Sequence, residues 1–141
     1  MFDTKTINLI SILQNCGVKG EPCDDWLVKD LEQQLGIKLP AAYKAFLLLA
    51  GHDFTPFHGS QYTLDDDLSE LQRNGQNIFR KDHEMLPLGS FVFFVHQGFV
   101  IRFFLLEDGD DPPVFEYVKG WPPAKQLAPR FSEFLKSEIN G

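Results

Sequence analysis

From Ser90 onward the chain changes its hydrophobic period. Phe91–Val95 and Phe99–Leu106 are runs of β-branched and aromatic residues, separated only by His96-Gln97-Gly98. Glu107–Pro113 is a second turn, and Val114–Val118 is a third run. Short runs of this composition, bounded by turn residues, read as strands, and their close spacing makes consecutive strands antiparallel neighbours. The block is a β-meander. Its strands are apolar almost throughout, so helices cover one face and something else shields much of the other.

The first half supplies helices. Ile7, Ile10 and Leu13 recur at helical spacing over residues 4–16, and Gly17 is placed to end that helix. Pro22, Asp24 and Asp25 open a second helix with an aspartate N-cap; Leu27, Leu31 and Leu35 share a face, and Gly36 stops it. Leu39-Pro40 begins a third, with Pro40 at the first helical position, a buried stripe of Tyr43, Phe46, Leu47 and Ala50, and Gly51 at its end. Residues 52–60 read as loop and Gln61–Leu64 as a short strand. Asp65–Asp67 cap a helix carrying Leu68 and Leu71, which Gly75 interrupts before Ile78 and Phe79. After the meander, Trp121-Pro122-Pro123 is a rigid connector. Pro129 opens a last helix whose core residues are Phe131, Phe134, Leu135 and Ile139. The expected fold is one α+β domain over residues 1–141, an antiparallel meander packed against N-terminal helices and a C-terminal helix.

The chain's 141 residues suffice for a core without a disulfide or metal staple, and its 14 phenylalanines belong in it. Thirteen basic residues stand against 20 acidic ones, a net charge of -7. With no basic run, direct nucleic-acid binding is disfavoured, while a basic protein partner suits the charge. Solubility alone also accounts for net negative charge. The N-terminus lacks the basic-then-apolar order of an export signal, and no apolar stretch reaches the roughly 20 residues of a membrane span. Cys16 and Cys23 form no disulfide framework. A cytoplasmic protein with free thiols is expected, with no membrane association.

The segment from Val28 to Leu47 carries the most specific pattern. Leu31-Glu32 lies near the end of one helix, Leu35-Gly36 stops it, Leu39-Pro40 opens the next, and Tyr43 and Phe46-Leu47 follow, with Gly51 closing. This pattern resembles the N-terminal signature of the SUKH superfamily of yeast cell-wall-assembly regulators and bacterial toxin-immunity proteins. Ala41-Ala42 and Ala50 depart from it, where many members carry an acidic residue and an asparagine. The resemblance implies helices against an antiparallel sheet and a non-catalytic protein that neutralises a cognate toxin, often a nuclease. Read residue by residue, the same motif is structural: Leu and Phe fill, Gly and Pro punctuate, and Glu32 caps or pairs.

The residues that carry chemistry elsewhere are scattered. His52, His58, His83 and His96 lack metal-site spacing, and Ser60 and Ser90 sit in no nucleophile motif. Cys16 is read as a small buried hydrophobe. No cofactor or metal is implied. Two acidic clusters stand out: Asp65, Asp66, Asp67 and Glu70, and Glu107, Asp108, Asp110 and Asp111. Helix capping and turn chemistry account for either alone. Together they are the candidate partner-binding residues, because a nuclease that grips phosphate is basic at its cleft and an acidic inhibitor is steered to it. Trp121 is expected to pack over a core edge. Two other functions stay open: a general interaction module without a toxin, and a small hydrolase or metal enzyme, favoured by any pocket gathering a histidine with carboxylates.

Overall fold

The computed structural model describes residues 3–80, 86–121 and 123–140; His83 and Pro122 lie outside them. Helices α1 (Thr4–Asn15), α2 (Asp25–Leu35) and α3 (Ala41–Ala50) are followed by two 3-10 turns, Thr55–Phe57 and Leu64–Asp66, and by α4 (Leu68–Arg80). Strands β1 (Ser90–His96), β2 (Val100–Leu105), β3 (Val114–Val118) and β4 (Lys125–Ala128) come next, and α5 (Phe131–Asn140) closes the fold. Each strand pairs antiparallel with the next in the order β1-β2-β3-β4. The α+β meander is as expected. It gains a fourth strand between the Trp121–Pro123 connector and the last helix, from residues assigned to no element, because Lys125-Gln126-Leu127 is short, exposed edge strand without apolar alternation.

The signature segment explains itself in the structure. Gly36 takes the left-handed conformation (φ 65°) that ends α2. Glu32 reaches back to accept the Leu39 N–H at 2.8 Å, and Lys44 lies 3.8 Å from the same oxygen. Pro40 is the N-cap of α3 rather than its first helical residue, and it offers no side-chain cap. The backbone carbonyl of Asp110 accepts the Ala42 N–H at 2.8 Å instead, satisfying one of the orphan donors of the first turn. Ala41 and Ala42 are both buried there.

The core is aromatic. Tyr43 of α3 meets Phe91, Phe93 and Phe104 of the sheet and Phe131 of α5 at centroid distances between 5.2 and 6.2 Å. Each such pair contributes about 0.5–1.5 kcal/mol beyond its buried area. A bulge in β1 adds to this layer: Val92 pairs with Phe103 and Phe94 with Arg102, leaving Phe93 as the extra residue, packed on Phe131 and Phe134.

Val92 lies against α4. A Cβ on Gly75 would come within 2.6 Å of the Val92 side chain. Gly75 therefore does not interrupt α4; it lets helix and strand approach, and α4 runs unbroken to Arg80. One turn earlier, the Gln72 amide donates to the Val92 carbonyl at 2.8 Å and accepts the Val92 N–H at 2.7 Å. Gln61 pairs its backbone with Val95 further along the same edge. These contacts occupy the outer edge of β1, which would otherwise offer unpaired groups to another strand. The expected strand at Gln61–Leu64 is reduced to that single bridge, because Thr63 and Asp66 turn the chain immediately afterwards.

Candidate partner-binding surface

The four residues of the first acidic cluster have different tasks. Asp66 accepts three hydrogen bonds through one oxygen: Tyr62 N–H at 3.0 Å, Thr63 N–H at 3.2 Å and the Thr63 hydroxyl at 3.0 Å. Asp67 sits at φ 58°, a conformation aspartate tolerates better than most residues, and its carboxylate accepts the Glu70 N–H at 3.3 Å at the start of α4. Glu70 pairs with Arg73 at 2.8 Å. Among the described residues Asp65 pairs with His52 alone, at 2.9 Å, and its side chain is 66% exposed.

Beside this cluster a groove runs between α2 and α4. Its volume is about 380 Å³. Leu27, Leu31, Leu64 and Leu68 make its apolar lining, and Asp30, Asp65 and Asp67 stand on it with His52. Ser69 and Gln34 meet across it at 3.4 Å.

The second cluster is divided differently. Asp111 accepts the Ser132 N–H at 2.9 Å and the Ser132 hydroxyl at 2.6 Å, capping α5 from a distant loop. Asp110 pairs with Lys5 at 2.9 Å and lends its carbonyl to α3. Glu107 and Asp108 occupy an exposed 3-10 turn after β2. The first cluster thus spans a 3-10 turn and the first turn of α4, and the second the loop between β2 and β3.

One chemical constellation escaped the sequence. The Gln61–Val95 bridge makes Ser60 and His96 the next pair across, and Ser60 Oγ lies 2.8 Å from His96 Nδ1. They line a cavity of about 290 Å³ with His58, Arg102, Glu116 and Glu138. That is a histidine gathered with carboxylates. Both carboxylates, however, hold Arg102, at 2.8 Å each, and its guanidinium lies 4.4 Å from the Phe94 ring. Among the described residues no hydrogen bond orients the other nitrogen of His96, so the pair lacks the third member of a nucleophile–base–orienter set. His58 instead meets Asp53 at 2.6 Å. Among the described residues no group of three or more His, Cys, Asp or Glu is arranged to hold a metal ion.

Three side-chain expectations are corrected. Cys16 is only half-buried; Cys23 is the buried thiol, and burial pushes its pKa up to about 11, the reverse of an activated nucleophile. Trp121 does not pack over the core but is 74% exposed. Likewise Ile7 points outward at 52% exposure, and α1 buries Thr6 and Leu13 instead.

Residues 22–137 match the model of the SMI1 / KNR4 family (SUKH-1). The chain belongs to this family. The matched span runs from the residues that lead into α2 to the middle of α5, so it takes in the signature segment, both acidic clusters and all four strands. SUKH domains include toxin-immunity proteins. A search of curated proteins finds no match to this chain. No helix among the described residues is long and apolar enough to cross a membrane.

Proposed function

We propose that this SUKH-1 domain is an immunity protein that binds a cognate toxin and neutralises it without catalysis. Family membership carries the reading, and the charge supports it. Asp65, Glu107 and Asp108 are exposed, and none forms an ion pair with a described lysine or arginine. Such carboxylates accelerate encounter with a basic protein and favour it at low salt. A basic toxin, a nuclease among the candidates, is the partner that fits, and the cytoplasm is where a resident cell needs the protection.

Affinity capture from source-cell lysate at low and moderate salt tests this, followed by co-expression of the captured protein. A single basic protein that arrests growth alone, and is tolerated when this chain is co-expressed, is the expected result. Capture of several non-toxic proteins, indifferent to salt, would replace the reading with a general interaction module.

A further inference from the structure

We infer that the leucine-lined groove between α2 and α4 is the docking site for a segment of the protein partner that carries lysine or arginine beside apolar side chains. The inference rests on the immunity reading and names the surface that serves it. Charge complementarity selects the occupant. Asp30, Asp65 and Asp67 stand on the groove, and none pairs with a described lysine or arginine. Leu27 and Leu64 are partly exposed below them. A lysine or arginine side chain has an aliphatic stem and a charged head, so it covers leucine while its head meets carboxylate. The volume of about 380 Å³ lies at the low end for small-molecule pockets and suits a few side chains. Trp26, one residue before Leu27 and 62% exposed, is of the type enriched where interfaces concentrate their energy.

Two other concavities match this occupant less well. The groove lined by Val18, Lys19, Leu48, Leu49 and Ile139 is larger, about 810 Å³, yet its charged residue is a lysine and no carboxylate lines it. In the Ser60–His96 cavity, Arg102 already occupies both glutamates.

The test is a titration of the ¹⁵N-labelled full chain, at low salt, with a short blocked peptide alternating leucine and lysine. Glutamate-for-lysine and serine-for-leucine versions are the controls. Amide shifts confined to residues 27–34 and 64–69, saturating with the lysine–leucine peptide alone, are expected. Asp30→Asn with Asp65→Asn should weaken that binding by about tenfold, and Glu107→Gln with Asp108→Asn should leave it within about twofold. Both pairs of substitutions are near-isosteric and leave the core untouched. Shifts centred on Glu107 and Asp108 would overturn the docking site while leaving electrostatic recognition intact. Equal binding by the glutamate peptide, wild-type affinity in the Asp30/Asp65 variant, or no saturable binding would overturn it as well. None of these outcomes depends on whether a toxin is captured, so the two readings fail separately.

Discussion

The two acidic clusters look alike in sequence and differ in the fold. In each, carboxylates close a turn or cap a helix: Asp66 gathers the 62–66 turn and Asp67 caps α4, while Asp111 starts α5. Each also holds a cation, Arg73 on Glu70 in the first and Lys5 on Asp110 in the second. In the first, Asp65 pairs with a histidine alone among the described residues, and it stands beside an apolar groove that also carries Asp30. Local charge density therefore says little about recognition. What matters is which carboxylates keep their charge unpaired and what surface lies next to them.

Substitutions sharpen that contrast. The largest loss of stability is expected for Asp66→Ala, which orphans three donors in the turn and should cost about 2 kcal/mol by denaturant unfolding. Asp111→Ala follows at about 1 kcal/mol, because α5 keeps its apolar packing when its cap is lost. Lys5→Ala should change stability by no more than about 0.5 kcal/mol, since Lys5 is 72% exposed and surface pairs contribute little. Glu107→Ala with Asp108→Ala should be neutral within about 0.5 kcal/mol, the ordinary range for surface changes. A loss for that last pair as large as the one for Asp66 would erase the distinction between structural and free carboxylates.

Much of the fold was legible because its signals are local. Gly36, Leu39-Pro40 and the apolar stripes of α3 and α5 mark their elements with residues adjacent in sequence. Gln97 and Gly98 both take positive φ and close the β1–β2 hairpin where the turn was read. The misreadings share a different cause, which is contact between distant segments. Gly75 reads as a helix breaker until Val92 is seen against it. Gln72 and Gln61 give no sign that they seal a strand edge. The candidate site was half legible. Asp65 and Asp67 were singled out, but Asp30 lies on another helix, and the groove joining them exists only once α2 and α4 are packed. Ser60 and His96 were separated in the same way and meet only through a backbone bridge.

The most direct test of the account is the affinity of the captured basic partner, measured by calorimetry at low and moderate salt for the wild-type chain and the Asp30→Asn/Asp65→Asn variant. The account predicts that wild-type affinity falls by about tenfold or more as salt rises, and that the variant is weaker at low salt and less salt-sensitive. An affinity indifferent to salt and unchanged in the variant would contradict it.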